Sequence, residues 1–272
     1  MTPQLPGETW IIGCGKMAGA MVTGWQRAGV DFSNATAVRA SGVAVPGVRT
    51  SSSICGEGSP RLVLLGIKPQ KLDDVAPALA KSLNSDTIVV SILAGVEIAS
   101  LRARFPTAGQ IVRAMPNLPV SEGRGVVALN GGDGSLDPLF ALLGMVVRTD
   151  SEAELAAVGS LAGAGPAYVA RFVAALAKAG AERGLAPEIA DRIALETVLG
   201  TAAMASASGE TMESVAVRVA SPNGTTEAGL KILDTQLDSL VSRTIKAASR
   251  RGQELAEAAR IDGRIDSGPP LA

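Results

Sequence analysis

The first half of the chain alternates short apolar runs with stretches of helical spacing. The apolar runs predict strands at residues 9–12, 36–39, 61–67, 86–92, 110–114, 125–129 and 145–149, and the helical stretches lie at 17–28 and 72–83. The runs at 61–67 and 86–92 are continuously apolar, which is typical of strands covered on both faces in a parallel sheet. This alternation predicts a doubly wound α/β domain.

The second half of the chain has a helical pattern. Helices are predicted at residues 164–183, 187–207, 227–233 and 239–260, and no comparable strand-like run follows Thr149. We therefore predict an α/β domain at residues 1–150 and an all-α domain at 151–272, ending in a loose tail at 261–272. The helix at 164–183 is apolar on several sides, so it is interpreted either as part of a subunit interface or as the centre of a monomeric bundle.

Composition excludes several classes of function. Lys plus Arg is 25 and Asp plus Glu is 26, so the charge of −1 gives no reason to expect nucleic acid or an acidic membrane as a partner. The chain has no histidine, which excludes Ser-His-Asp triads and histidine–metal sites. Cys14 and Cys55 are too few for a zinc site or a disulfide scaffold, so no metal is expected and a reducing cytoplasm is predicted.

The sequence predicts neither a signal peptide at its start nor a membrane-spanning run. Residues 1–7 contain no basic segment followed by an apolar stretch, so no signal peptide is predicted. No apolar run approaches the roughly 18–20 residues that are needed to cross a bilayer. We therefore expect no membrane contact.

Residues 13–18 (GCGKMA) follow the first strand and open the first helix, which is the context required for the pattern GxGxxA. Gly13 permits the tight turn, Gly15 lets the backbone approach a pyrophosphate, and Ala18 is small enough for helix–strand contact. Cys14 is interpreted as a small filler. The pattern predicts a Rossmann-type dinucleotide-binding domain, with a purely structural turn as the alternative.

The end of the second predicted strand suggests which dinucleotide binds. NAD-binding folds usually have an Asp or Glu about 20 residues beyond the loop, but here that position is Arg39, with Ser41 close by. An arginine attracts a 2′-phosphate and pairs with it, so NADP is predicted, with NADPH preferred over NADH. The alternative is that Arg39 is a solvated surface residue.

Further residues with functional chemistry follow other predicted strands. Lys68 and Pro69 follow the run at 61–67, Ala94 follows 86–92, and Asn117 follows 110–114. Loops at the carboxyl ends of such strands line the ligand crevice, although each residue taken singly is also ordinary loop chemistry.

A second glycine-containing turn, residues 221–226 (SPNGTT), precedes the predicted helix at 227–233. The N–H groups and hydroxyls at such a helix start form a natural cradle for a small carboxylate. The alternative is that Ser221 or Thr225 merely caps the helix.

Five segments together resemble the pyrroline-5-carboxylate reductase family. They are residues 12–17 (IGCGKM), 66–70 (GIKPQ), 112–117 (VRAMPN) with Pro119, 163–168 (GAGPAY) and 221–226 (SPNGTT). The resemblance implies a Rossmann domain followed by a helical domain that intertwines with a partner subunit, giving a homodimer or a larger homo-oligomer. It also implies NADPH-dependent reduction of 1-pyrroline-5-carboxylate to L-proline, the last step of proline biosynthesis.

The resemblance assigns roles to individual residues. It implies phosphate contacts by Gly13, Gly15, Lys16 and Met17, contacts near the nicotinamide-side ribose by Lys68, Pro69 and Ala94, and a contact of Asn117 with the nicotinamide end. For the substrate it implies Ser221, Gly224, Thr225 and Thr226, with Thr226 as the catalytic residue. The chain departs from the family pattern at Lys16, where asparagine is usual, and at Asn223, where glycine is common.

Two other kinds of function stay open at this point. A β-hydroxyacid dehydrogenase or a broader imine reductase would share the two-domain plan, but the lysine expected of the dehydrogenase is matched only by Lys178, late in its helix. The absence of histidine favours imine reduction over ketone reduction, since a ketone requires stabilisation of a developing alkoxide. A dinucleotide-sensing regulator would keep the glycine loop without needing the turn at 221–226.

Overall fold

The computed structural model describes residues 3–54 and 58–265. Eight strands are present: β1 (Thr9–Ile12), β2 (Ala35–Val38), β3 (Arg49–Ser51), β4 (Leu62–Leu65), β5 (Ile88–Ser91), β6 (Gln110–Pro116), β7 (Gly125–Gly131) and β8 (Gly144–Thr149). The first helices are α1 (Lys16–Arg27), α2 (Leu72–Ala80), α3 (Ile98–Arg104), α4 (Asp137–Ala141) and α5 (Glu152–Val158). The later helices are α6 (Gly165–Glu182), α7 (Pro187–Ser208), α8 (Met212–Val219), α9 (Thr225–Leu233) and α10 (Leu237–Ile265). Cys55 and residues 266–272 of the predicted tail lie outside the described residues.

The strands form one sheet in the order β3-β2-β1-β4-β5-β6-β7-β8. The chain runs outward from β1 through β2 to β3, and then returns to the other side of β1 to place β4, β5 and β6. All pairs are parallel except β6 with β7, which are antiparallel. The strand order therefore reverses at β1 and β4, and ligands of such sheets bind outside the carboxyl ends of the strands at this point.

The sheet is covered on both faces, as the continuous apolar runs predicted. Ile11 and Leu64 belong to one buried cluster, together with residues of α1. Their neighbours Ile12 and Leu65 point the opposite way, into a second cluster that includes residues of α2 and α3. Because side chains alternate along a strand, each apolar run supplies both cores, and the predicted doubly wound α/β fold is confirmed.

The chain divides into two compact units. We call Met1–Ala164 with Ala248–Ala272 the sheet unit, and Gly165–Ala247 the helical unit. Within the helical unit, α6 and α7 form a hairpin closed by Gly184, which follows the end of α6 and has a φ of +95°. The predicted succession of an α/β region and a helical region is confirmed.

Several sequence expectations need correction. β3 was not predicted, since its residues are polar and it lies at the sheet edge. α10 continues to Ile265, so residues 261–265 are helical and do not form a loose tail. The stretch Glu152–Glu182 is long and apolar enough to cross a membrane by length and composition alone, contrary to the expectation that no run reaches this length.

The same stretch bears on the two interpretations of the helix at 164–183. Only 6% of its most apolar window is buried in the single chain. Val169 and Phe172 of α6 are 51% and 46% exposed. The central helix of a monomeric bundle would be covered, so the exposure of α6 favours the subunit-interface interpretation.

Candidate active site

The glycine loop between β1 and α1 has the geometry that each position of its motif requires. Gly13 has a φ of +79°, and a Cβ there would lie 2.5 Å from Cγ2 of Ile67. A Cβ on Gly66 would lie 2.9 Å from the Cβ of Ala18, so both positions must be small. In contrast, a Cβ on Gly15 would meet nothing within 4 Å. The backbone at Gly15 therefore faces open space that a pyrophosphate can approach.

The start of α1 is electrostatically suited to an anion. Its N-cap is Gly15, no side chain in the described residues caps it, and its first turn contains no acidic residue. The first-turn N–H groups, including those of Lys16 and Met17, therefore lack side-chain partners at the positive end of the helix dipole. These features fit the phosphates of a dinucleotide. Burial raises the pKa of the Cys14 thiol beyond what the nearby Arg39 charge offsets, which favours the neutral thiol.

Arg39 follows β2 directly and lies close enough to the glycine loop to act on the Cys14 thiol. Its backbone N–H donates to Ser51 O at 2.8 Å, and its Nη1 donates to Val43 O at 2.8 Å. The exposed Ser41 accepts a bond from Val43 N at 3.4 Å in the same loop. No Asp or Glu occurs between residues 35 and 54, so this loop offers no carboxylate for a ribose 2′-hydroxyl.

The other predicted cofactor residues lie at the same edge of the sheet. Lys68 is the N-cap of the short 3-10 helix Pro69–Lys71, which follows β4. Ala94 follows β5, and Asn117 follows β6. Since β1, β4, β5 and β6 are parallel, their carboxyl ends share one edge, which brings these residues to the side that carries the glycine loop.

A cleft of about 690 Å³ opens in the sheet unit beside the ends of β5 and β6. Its walls include Ala94, Gly95, Met115, the π-helical turn Gly159–Gly163 and one side of α10 near Gly252. Clefts of a few hundred to a thousand cubic ångströms accommodate small ligands and cofactor rings. The sequence placed Ala94 at a ligand crevice, but it did not indicate the opposite wall, because α5 and the π turn were not predicted.

Sequence analysis also missed an ion pair beside this cleft. Arg113 of β6 is buried, and its Nη1 contacts Oε2 of Glu152 at the start of α5. The other carboxylate oxygen of Glu152 accepts a bond from Ile98 N at 3.0 Å. An arginine inside an apolar strand was the available signal, since a buried guanidinium requires a partner.

The turn at 221–226 belongs to the helical unit and leads into α9. Asn223 has a φ of +58°, a conformation that glycine adopts freely and asparagine tolerates. Its N–H donates to Oε2 of Glu227 at 2.5 Å. An ion pair with Lys231 and this N–H lower the pKa of the Glu227 carboxyl.

The predicted substrate residues surround this helix start. Gly224 is the N-cap, and no described side chain caps it, so neither Ser221 nor Thr225 performs the alternative capping role. Thr225 and Thr226 are the first two residues of α9, and both are exposed. Their hydroxyl and N–H groups are thus presented together at one helix end. Ser221 O accepts a bond from Gly224 N at 2.9 Å.

The chain resembles a pyrroline-5-carboxylate reductase of Pseudomonas aeruginosa, with 35% identity over 91% of this chain and 96% of that protein. The chain belongs to the pyrroline-5-carboxylate reductase family. The family model for pyrroline-5-carboxylate reductase dimerisation matches residues 152–255. A model for coenzyme F420-dependent NADP oxidoreductases matches residues 9–95.

Solved structures agree with this family assignment. A pyrroline-5-carboxylate reductase of Coxiella burnetii superposes with a TM-score of 0.82 at 29% identity, covering 92% of this chain and 98% of that one. A pyrroline carboxylate reductase of Plasmodium falciparum with NADP bound superposes with a TM-score of 0.79, covering 93% of this chain and 100% of that one. Because the two sequences are 22% identical, this similarity shows the fold alone.

The predicted site residues of this reductase-family chain fall into two groups. The cofactor residues, from Gly13 to Asn117, lie in the sheet unit, and the substrate residues, from Ser221 to Thr226, lie in the helical unit. Lys178, the residue weighed for a hydroxyacid dehydrogenase, has a 79% exposed side chain and lies 3.9 Å from Glu182. Within residues 3–54 and 58–265, no group of three metal-ligating side chains is found.

Proposed function

We propose that this protein reduces 1-pyrroline-5-carboxylate to L-proline, the last step of proline biosynthesis, with NADPH as the preferred reductant. The observation that carries the proposal is the near full-length similarity to a pyrroline-5-carboxylate reductase. Two local structures support it: the glycine loop that leaves space at Gly15, and the uncapped start of α9 with its two threonines.

In this proposal the sheet unit binds the cofactor. The tight turn at Gly13 and the open backbone at Gly15, with the first turn of α1 at Lys16 and Met17, hold the pyrophosphate. Lys68, Pro69 and Ala94 border the nicotinamide-side ribose, and Asn117 lies at the nicotinamide end. When bound, the reduced nicotinamide supplies a hydride.

The preference for NADPH is proposed to depend on Arg39 and Ser41. A guanidinium forms paired hydrogen bonds with a phosphate, and the serine hydroxyl adds a further donor. The lack of a carboxylate from residue 35 to 54 removes the usual partner of an unmodified ribose. The NADPH preference follows from this pair of features.

The helical unit is proposed to bind the substrate. Since Glu227 already engages the N–H of Asn223, the carboxylate of the substrate takes the N–H groups of Thr225 and Thr226 at the start of α9. The Thr226 hydroxyl hydrogen-bonds the ring nitrogen. The hydride adds to the imine carbon, the C=N π electrons become the nitrogen lone pair, and the proton already on the iminium nitrogen stays in the product amine. This balance requires no histidine acid, in keeping with the composition.

The proposed assembly is a homodimer, or a larger homo-oligomer, formed through the helical unit. The exposed apolar face of α6 supports it, since a surface of this kind in a water-soluble enzyme calls for a cover. The dimerisation model matches the same region. Three further expectations remain predictions: that the protein has no membrane partner, that it has no nucleic-acid partner, and that it is located in the cytoplasm.

The reaction is tested by following NADPH absorbance with 1-pyrroline-5-carboxylate as substrate, and with NADH in parallel. Turnover with both, faster at low concentrations of NADPH, is the expected result. Short keto acids serve as the comparison substrates, because a hydroxyacid dehydrogenase would act on them. Binding of NADPH without turnover of any cyclic imine would instead support a dinucleotide-sensing regulator.

A further inference from the structure

Two residues of β6, Arg113 and Met115, and Asn117 directly after it each contact the segment 152–163 that follows the sheet. Arg113 pairs with Glu152, Met115 packs against Gly159, and Asn117 bonds to Ala162. Side chains two residues apart along a strand lie on the same face, so these contacts form one row. We call this row, residues 113, 115 and 117, the β6 seat.

The first contact of the β6 seat fixes the start of α5. The Arg113 side chain is only 7% exposed, and its Nη2 also donates to Leu93 O at 3.4 Å. The Glu152 carboxylate accepts hydrogen bonds from both Arg113 and the N–H of Ile98. Removing one partner of such a pair leaves a buried charge, so the geometry at this end is firmly held.

The second contact is close because residue 159 is a glycine. A Cβ on Gly159 would lie 2.0 Å from Sδ of Met115, so the Met115 side chain would have to shift. Gly159 begins the π-helical turn Gly159–Gly163. Such turns are rare and often occur at functional sites, because their hydrogen-bond pattern interrupts a normal helix. The turn therefore depends on what it packs against.

The third contact is made by Asn117, which is buried with 6% exposure. Its Nδ2 donates to Ala162 O at 3.0 Å, inside the π turn. Its Oδ1 accepts from Val126 N of β7 at 2.8 Å. The amide thus joins the β6–β7 hairpin to the π turn, and the helical unit begins at Gly165, just beyond that turn.

We propose that Asn117 is a positioning residue, which holds the π turn on the end of β6 and so sets where the chain leaves the sheet unit. This inference rests on the proposed function, since the helical unit carries the proposed substrate residues. This role is added to the proposed place of Asn117 at the nicotinamide end: both amide atoms of the side chain already bond within the protein, so the side chain acts through the turn. Gly159 shares that role by allowing the turn to approach Met115.

Asn117→Asp is the direct test. The replacement keeps an acceptor for Val126 N but turns an oxygen toward Ala162 O in place of the Nδ2 donor. Because small misplacements at a reacting centre cost up to about 100-fold in rate, we expect kcat to fall roughly 10- to 100-fold. The dissociation constant for NADPH is expected to change less than about threefold. A change of that size is within the scatter expected for a mutation that does not act on NADPH binding directly.

Asn130→Asp is the matched control. Asn130 is 7% exposed in β7, and its Nδ2 donates to Thr149 O at 2.8 Å, so the change in charge and burial is the same but the π turn is not involved. We expect wild-type kcat from this variant. Hydrogen exchange of the amides of residues 156–164 is expected to accelerate in Asn117→Asp and not in Asn130→Asp.

Gly159→Ala provides a second, independent variant in case Asn117→Asp fails to fold. It crowds the turn against Met115 while Asn117 stays intact, and it is expected to lower kcat less than Asn117→Asp does, at nearly unchanged NADPH affinity, because the Met115 side chain can take up part of the displacement. A loss of NADPH affinity in Asn117→Asp with unchanged kcat would overturn the proposal, as would unchanged exchange at residues 156–164. If the wild type fails to reduce pyrroline-5-carboxylate, the proposed function fails, while the exchange comparison still decides whether Asn117 anchors the turn.

Discussion

The two units of this chain bury their apolar residues to very different extents. In the sheet unit, every residue of β1 and of β4 is buried, and two large clusters fill both faces of the sheet. Among the described residues of the helical unit, the single buried cluster consists of Ala177, Ala190 and Ala194. Meanwhile Val169 and Phe172, which are much larger, stay about half exposed.

This difference shows that one unit completes its core within a single chain and the other does not. Small residues let α6 and α7 approach closely, but an alanine contributes little buried area, and hydrophobic stabilisation scales with that area. In the proposed homo-oligomer, a second copy covers the apolar faces that the single chain leaves exposed. The stability of the helical unit is then expected to depend on protein concentration, as in obligate homodimers.

The largest expected effect comes from placing a charge in the exposed face of α6. Phe172→Asp puts a carboxylate where the proposed interface excludes water, and aromatic residues at such positions often carry much of the binding energy. We expect the dimer dissociation constant to rise at least about 100-fold, with activity lost at nanomolar enzyme. Sedimentation velocity across a concentration series measures this.

Lys178→Ala is the control for that experiment, since Lys178 is on the same helix with its side chain 79% exposed and next to Glu182. It should leave the assembly unchanged, because exposed ion pairs contribute little. A Phe172→Asp protein that stays fully assembled would show that the apolar face of α6 is not the interface. The difference in apolar burial between the sheet unit and the helical unit would then need another explanation.

A second prediction tests whether the helical unit takes part in catalysis in addition to forming the proposed dimer. Thr226→Ala removes the hydroxyl at the start of α9 and should lower kcat by roughly 10- to 1,000-fold, the range for one hydrogen bond at a reacting centre. Binding of NADPH, which the proposal assigns to the sheet unit, should not change. Thr226→Ser retains the hydroxyl and should recover most of the rate; equal turnover of wild type and Thr226→Ala would remove Thr226 from the mechanism.

The sheet could be predicted from sequence wherever burial on both faces imposes an apolar run. Residues 61–67 and 86–92 therefore located β4 and β5 well. β3 escaped prediction because Arg49, Thr50 and Ser51 form an edge strand, where polar residues are tolerated. The antiparallel direction of β7 also escaped, since its connection to β6 is a 3-10 helix, Leu118–Glu122, with no hairpin turn signal.

The candidate site was predictable where a motif carries its own geometry. Gly13, Gly15 and Ala18 are examples, because the reasons for small residues there hold within a few positions of the chain. The β6 seat could not be predicted, since Asn117 and Ala162 are distant in sequence and a π turn has no recognised local signature. The position of Arg113 inside an apolar strand indicated that its side chain is buried, but the sequence did not indicate that Glu152 is its partner.

The third prediction tests whether cofactor choice belongs to the sheet unit. Arg39→Asp should raise the KM for NADPH by roughly 10- to 100-fold and affect NADH far less, because a carboxylate repels the 2′-phosphate and suits a free 2′-hydroxyl. Arg49→Asp is the control, an exposed arginine on the neighbouring strand at its amino end. Equal changes for both cofactors in Arg39→Asp would mean that Arg39 does not touch the 2′-phosphate.

The smallest effect concerns the acid stability of the sheet unit at a turn after β7. The Ser135 hydroxyl and amide, with the Gln110 side chain, lower the pKa of the Asp133 carboxyl from 3.8 to about 2. A carboxyl whose pKa is lowered by folding stabilises the folded state above its unfolded pKa and loses that contribution as the pH falls through the folded value. Ser135→Ala should therefore lower the thermal midpoint by roughly 1–2 °C at pH 7, in keeping with an exposed site, and the difference should shrink between about pH 4 and pH 2. A difference that stays constant over this window would attribute the loss to the turn itself, because a cost independent of protonation has no reason to follow the titration of Asp133.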